Sequence, residues 1–311
     1  MLKFGVCGTA FWADNVHVPG LLANEDVELV GVWGRDAGKR DDLASKHGLR
    51  SFASFEALCD EVDALSFAVP PTAQAELAPQ AIARGLHVIL EKPLGPSLDE
   101  ANAIVEGIRS RGTSAVCFLT RMFVDEVVDF VSEARKLQPV KGEASFRSNA
   151  LLQGPYASSS WRQERHGALL DAAPHGMSVL VAALGPITDV SAEWAGDGTY
   201  SLFFKHAGEV TSTLDLNLRD TEVQFAERYA FANDRSVSLP KLAYDRKATF
   251  TRASEVLVEQ VKLGSEQAQS QLGLALHLVA VAAAAQKSLA IGGNFQKVAP
   301  TDHRLEGAVN G

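Results

Sequence analysis

Five short apolar runs, at residues 2–7, 27–33, 64–69, 86–90 and 115–119, alternate through the first 120 residues with stretches of helical periodicity. This alternation constrains the fold more than any other feature. Parallel strands need a crossover of a dozen or more residues, and that crossover is usually a helix. Leu77, Ala78, Ala81, Ile82 and Arg84 trace one half-apolar helix, and Ala101, Ile104, Val105 and Ile108 trace another. Ser97, followed three residues later by Glu100, is a capping-box pattern that starts the second helix, which ends near Gly112 and leaves Lys92 in the preceding loop.

After Arg121 the order of elements changes. A helix over about 122–136 precedes a segment at 140–151, a helix around 170–184, and alternating segments at 188–195, 199–206, 209–218 and 222–233. Residues 211–218 show the clearest period of two, which marks a half-buried strand. The expected fold class is α/β, with a doubly wound parallel sheet in a nucleotide-binding domain at 1–120. A second α/β domain at 121–311, for substrate and assembly, carries an open, mostly antiparallel sheet with helices on one face. The other face also needs cover, and a second copy of the chain would supply it, so a homo-oligomer is expected. A chain of 311 residues suits two such domains.

Composition narrows the function classes. The net charge of −9 argues against a general attraction to nucleic acid or to an anionic membrane, since both need clustered Lys and Arg. Met1 leads straight into an apolar strand pattern, without the basic region and long apolar core of a signal peptide. The one span-like stretch, Leu272–Ile291, is interrupted by His277, Gln286 and Lys287 and reads as a buried or interfacial helix. Cys7, Cys59 and Cys117 are too few and too scattered for a disulfide framework or a metal set, which points to the reducing cytoplasm. Only the last dozen positions suggest disorder.

The first chemical signal is Gly8-Thr9-Ala10-Phe11-Trp12-Ala13, between the first strand and the next helix. It matches a dinucleotide-binding G-x-G-x-x-G/A loop except at Ala10, and would set helix-start amides against a pyrophosphate. The alternative is a tight turn without ligand. The second strand ends at Gly34-Arg35, where an acidic residue would mark NAD. Arg35, with Lys39 and Arg40, suits the 2′-phosphate of NADP instead, while Asp36 keeps NAD open and a solvated charge cluster is the bland alternative. Val69 and Pro70, heading Pro71-Thr72, would either wall a cofactor slot or only stop a strand. Glu91-Lys92-Pro93 follows the fourth run at the edge where open α/β sheets bind ligands, and lysine is a side chain whose proton burial readily retunes. Asp171 and His175 are four apart, hence on one helix face, where they either relay a proton or act as a helix-start aspartate and a satisfied core histidine. No third and fourth ligand completes a metal site, so no metal is expected.

At these residues the chain resembles the Gfo/Idh/MocA oxidoreductases, the family of glucose-fructose oxidoreductase and inositol dehydrogenase. The resemblance runs from residue 2 to about 298. It is carried by the Gly8–Ala13 loop, by Gly85–Pro93, and by Trp161-Arg162 with Gly167 through His175. It implies a Rossmann domain, a second domain often used in oligomers, and bound NAD or NADP. Lys92, Asp171 and His175 look like the family's catalytic residues, and Arg121, Trp161 and Arg162 look like its substrate-pocket positions. Departures are Ala10 for a glycine, His166 where a glycine often precedes Gly167, and Gln74 where a histidine is common.

The resulting expectation is an NAD(P)-dependent oxidoreductase acting on a secondary alcohol or ketone of a small polyhydroxylated molecule. Gly8, Thr9, Ala10, Phe11, Trp12, Arg35, Lys39, Arg40, Val69, Pro70, Glu91 and Lys92 would border the cofactor. His175 would take the hydroxyl proton, Lys92 would hydrogen-bond the same oxygen, and Asp171 would orient or relay; Lys92 and His175 are interchangeable in these roles. The rivals are a nucleotide-sensing binding protein of the same fold and a reductase of C=C or C=N bonds.

Overall fold

The computed structural model describes residues 1–221, 225–241, 243–264 and 269–301. Residues 222–224 of the segment read as a strand at 222–233, and 302–311 of the terminal dozen read as disordered, lie outside the described residues. The chain divides into two compact units, Met1–Phe123 with Tyr244–Leu272, and Val124–Ala243 with Gly273 onward.

In the first unit six parallel strands, β1 (Leu2–Cys7), β2 (Val27–Trp33), β3 (Arg50–Ser51), β4 (Ala64–Phe67), β5 (His87–Glu91) and β6 (Ala115–Phe118), stand in the order β3-β2-β1-β4-β5-β6. Every apolar run of the first 120 residues is one of these strands. The two-residue β3 has no apolar run to announce it. β4 and β6 are buried at every position, so they read as continuous apolar runs rather than alternating ones. Between the strands lie α1 (Val18–Leu22), α2 (Ala37–His47), α3 (Phe55–Cys59), α4 (Pro71–Ala83) and α5 (Leu98–Arg111). The order reverses direction between β1 and β4, and a crevice at such a switch point is where open sheets of this kind bind ligands.

Local chemistry accounts for the helix ends. The Ser97 hydroxyl accepts the Glu100 N–H at 3.3 Å and donates to the Glu100 carboxylate at 2.7 Å, and Gly112 closes α5 in the left-handed region. α1 is preceded by a π-turn, Ala13–His17, in which the Val18 N–H reaches back five residues to the Ala13 carbonyl. Pro19 follows with no N–H to give, so the helical ladder is already irregular where the wider turn sits.

One helix within 121–311, a stretch that the sequence reading assigns whole to the second domain, belongs to the first. α9 (Arg246–Leu263; α6 to α8 are in the second unit) buries Phe250, Ala253, Leu257 and Val258 in the same core as Phe4, Val6, Ile89 and Phe118. Phe250 is fully buried, its ring 4.2 Å from that of His17 and 4.9 Å from that of Phe118. Burying one such ring contributes about 1.5–3 kcal/mol. The expected single break near residue 120 therefore differs from the structure, in which the chain leaves the first unit after Phe123 and returns at Tyr244.

In the second unit β7 (Lys141–Ser148), β8 (Ile187–Trp194), β9 (Tyr200–His206), β10 (Thr211–Asn217), β11 (Phe225–Ala232), β12 (Ser236–Ser238) and β13 (Gln296–Lys297) form one sheet, ordered β12-β11-β7-β10-β9-β8-β13. Among the described residues only the β7–β10 pair of this sheet is parallel, so the sheet is mixed and mostly antiparallel. The helices are α6 (Asp125–Lys136), α7 (Ser160–Gln163), α8 (Gly167–Leu184) and α10 (Gln269–Ala290), whose residues from Gly273 on belong to this unit. α8 and the stretch Leu272–Ala290 are long and apolar enough to span a membrane by length and composition, yet 78% of each window is buried within the protein. Burial among side chains accounts for their apolar character.

Candidate active site

A cavity of about 980 Å³ opens at the switch point of the parallel sheet. The turn after β1 forms its floor, with Gly8, Thr9, Ala10 and Phe11, and the end of β4 forms one wall, with Ala68, Val69 and Pro70. Gly8 has φ +124°, and a Cβ there would stand 2.3 Å from the Ala68 carbonyl oxygen. Only glycine lets these two chain segments approach this closely. Helical structure begins at Phe11, which lines the cavity, and a helix start is a place where an anion is favoured. The cavity size, the glycine cradle and the helix start fit a dinucleotide.

Arg35, Asp36 and Lys39 line the end of the cavity beyond β2. The Asp36 carboxylate caps α2, accepting the Lys39 N–H at 3.1 Å. Arg35 is exposed toward the space. Trp33 and Phe55, rings 5.4 Å apart and edge to face, add an aromatic wall that the sequence reading missed. Asp14, also on the lining, feels burial that pushes its carboxyl up, but hydrogen bonds and charge from Lys46 and His47 prevail and hold it below the usual range. Its negative charge is thus countered locally, which lowers its repulsion of a phosphate.

Four sequence-assigned cofactor residues do not line this cavity. Trp12 turns inward, its ring 6.5 Å from Phe118 and edge to face with it. Arg40 is held by Ser51 at 2.8 Å and by Asp41 at 3.3 Å, so its guanidinium is engaged elsewhere. Glu91 and Lys92 stand at the end of β5, on the same edge of the sheet but two strands from β1. The Glu91 carboxylate contacts Nε2 of His17 at 3.1 Å and accepts the Lys92 N–H at 3.1 Å. His17 is fully buried and its Nδ1 lies 2.7 Å from the Ser66 hydroxyl. Lys92 itself is half-buried. Arg121 is buried under Tyr244, with its guanidinium carbon 4.8 Å from the ring centre and a hydrogen bond to the phenol oxygen.

In the second unit α8 carries Asp171 and His175 one turn apart. The Asp171 carboxylate accepts Nε–H of Arg162 at 2.9 Å, and both side chains are mostly buried. Arg162 is stacked by two rings, Tyr156 at 4.6 Å and Trp161 at 4.3 Å, and donates to Ser159 at 3.2 Å. Gly167 allows this pairing, because a Cβ there would lie 2.4 Å from the carbonyl oxygens of both Trp161 and Arg162. The His175 ring is stacked on Phe146 at 5.6 Å and 12°. Asp171 thus has an arginine partner as well as a histidine one turn away, and the sequence reading had paired it only with the histidine. Tyr156 and Phe146 were missed, since neither stands in a motif. Among the described residues no three His, Cys, Asp or Glu side chains gather as metal ligands would.

Residues 2–118 match the family model described as an oxidoreductase family with NAD-binding Rossmann fold, GFO_IDH_MocA. The dTDP-3,4-didehydro-2,6-dideoxy-alpha-D-glucose 3-reductase of Streptomyces antibioticus is 36% identical over 113 residues, which are 36% of this chain and 34% of that protein. D-xylose 1-dehydrogenase (NADP(+)) 2 of Haloferax volcanii is 30% identical over 153 residues, 47% of each chain. These matches span between about a third and a half of the curated relatives' own lengths. The crystal structure of GenD2 from gentamicin A biosynthesis, in complex with NAD, superimposes with a TM-score of 0.83 over 96% of this chain and 97% of that one, at 20% identity. That likeness extends the shared two-domain fold to nearly the whole chain.

Proposed function

We propose, from a chain that belongs through residues 2–118 to the Gfo/Idh/MocA oxidoreductases, that this protein is an NAD(P)-dependent dehydrogenase of a small polyhydroxylated substrate. The substrate class is a sugar, cyclitol or derivative, reacting at a secondary alcohol or ketone. The observation that carries the reading is the cavity at the β1–β4 switch point, floored by Gly8 and flanked on the same sheet edge by Lys92. Relatives that are named as a sugar-nucleotide reductase and a xylose dehydrogenase support the substrate class.

Bound nicotinamide supplies the hydride chemistry at its C4 position. The protein's own residues supply binding and protons. The Gly8 turn and the helix start at Phe11 hold the pyrophosphate, and Val69 and Pro70 bound the slot. Lys92 hydrogen-bonds the reacting oxygen, His175 takes the hydroxyl proton, and Asp171 keeps the imidazole oriented. Nε–H of Arg162, donated to the Asp171 carboxylate at 2.9 Å, holds that side chain in place for the role.

NADP is the proposed cofactor. Arg35 is exposed to the cavity with Lys39 nearby, while the carboxylate that would accept ribose hydroxyls is committed to capping α2. The three cysteines are buried and unpaired, in keeping with the cytoplasm. Phe203 and Trp194, exposed on β9 and β8, support assembly of copies through the second sheet. Sedimentation velocity would report a single subunit if that assembly does not form.

The test mixes protein, NADP or NAD, and a panel of polyols and aldoses while following the reduced-nicotinamide absorbance. Turnover of at least one compound, lost in Lys92→Met with cofactor affinity retained, is the expected result. Tight cofactor binding without turnover of any compound would favour a nucleotide sensor.

A further inference from the structure

The end of β5 outruns its neighbour. β4 is in register with β5 only as far as Ser66 opposite Ile89, whereas β5 continues to Glu91, paired on its other side with Phe118. After Phe67 the chain leaves the sheet and enters α4 at Pro71. The peptides just before Lys92 therefore lack a strand partner on the β4 side.

Gln74, in the first turns of α4 and fully buried, fills that gap. Its Oε1 accepts the Glu91 N–H at 2.8 Å, and its Nε2 donates to the Glu91 carbonyl at 2.9 Å. The Pro93 and Leu94 carbonyls lie 3.3 and 3.2 Å from the same nitrogen. A carboxamide carries the same acceptor and donor as a peptide, so the side chain stands in for the peptide that β4 does not provide. The Glu91 carboxylate closes the other side of the joint, taking the Lys92 N–H while the buried His17 holds its second oxygen.

We propose that Gln74 is a positioning residue for Lys92, its amide fixing the backbone on both sides of the lysine and so the place of the amine. The proposal rests on the reading of Lys92 as the group that bonds the reacting oxygen. The Glu91 carbonyl has a second, weaker donor in the Cys117 thiol at 3.8 Å, but a buried peptide group that loses the Gln74 amide loses its stronger partner in a place with little water, which makes the amide hard to replace.

The test compares Gln74→Met, near in shape but without the amide, with Gln74→Glu, which keeps an acceptor and loses the donor. Three readings are taken: hydrogen exchange over residues 86–98, the rate at which trinitrobenzenesulfonate labels Lys92, and NADP titration. In Gln74→Met the Glu91 amide should exchange roughly tenfold or more faster while the amides of β1 and α5 keep their protection. The Lys92 labelling rate should shift, NADP affinity should stay within about twofold, and turnover of any compound found active should fall on the order of 10²-fold with little change in KM. Gln74→Glu should approach wild-type protection and labelling as the pH falls and its carboxyl gains a proton to donate. Wild type and Gln74→Met should lack that profile.

Unchanged exchange at Glu91 would overturn the proposal, as would faster exchange with Lys92 labelling left at the wild-type rate. If Gln74→Met does not fold, the pH profile of Gln74→Glu decides alone, and a flat profile overturns it. Turnover retained by Lys92→Met would instead remove the role assigned to the lysine and leave the exchange result standing.

Discussion

Acid should weaken the second unit through one buried imidazole. His277, on α10, is 5% exposed, and its Nε2 accepts the Ile187 N–H at 3.1 Å, so the ring is neutral with its proton on Nδ1. Burial, with a smaller contribution from His206, lowers its pKa from 6.5 to about 4. The folded protein resists protonating this group and the unfolded chain does not, so between pH 6.5 and 4 the unfolded state binds more protons. Stability is untouched above that window, falls as the pH drops through it, and the loss due to this group is complete below it. A shift of this size is worth about 3 kcal/mol in total, of which about 2 kcal/mol is gone by pH 5. His206 is 2% exposed, bonded to Gly185 O at 2.7 Å and to the Ser212 hydroxyl at 2.8 Å, and burial lowers its pKa in the same sense. His277→Gln keeps an acceptor for Ile187 and removes the titration. Urea unfolding at pH 7 and pH 5 should show wild type losing about 2 kcal/mol more than the variant. Parallel losses in the two proteins would refute the assignment.

Other outcomes test the candidate site directly. Gly8→Ala forces a Cβ against the Ala68 carbonyl at a φ that L side chains rarely adopt, so NADP affinity by fluorescence titration should fall roughly tenfold or more; an unchanged affinity would remove the turn from the cofactor site. Arg35→Ala should weaken NADP roughly tenfold while leaving NAD within about twofold, and equal effects would end the case for the 2′-phosphate. Arg162→Met, which removes the ion pair to Asp171 and the stacking on Tyr156 and Trp161, should lower turnover of any compound found active roughly tenfold or more; unchanged turnover would show that the pair does not serve catalysis. Phe250→Ala should cost about 3–5 kcal/mol and lower the melting temperature, as expected for a buried ring shared with His17 and Phe118.

The sequence alone determined the elements and the motif-bearing turns. Apolar runs separated by helical patterns specify parallel strands by local chemistry, and the Gly8 turn, the Ser97 cap and the i, i+4 placement of Asp171 and His175 follow from backbone geometry within a few residues. Tertiary structure decided what those residues meet. Nothing near Arg246 in the chain says that α9 returns to the first core, and nothing near Arg40 says that Ser51 takes its guanidinium N–H. Gln74 looked like a departure from a family pattern until β4 was seen to stop short of β5. Such partners lie 11 residues away for Arg40, 17 for Gln74 and 246 (250 − 4) for Phe250 and Phe4, and sequence periodicity reports only which face of an element is buried, not which distant group covers it.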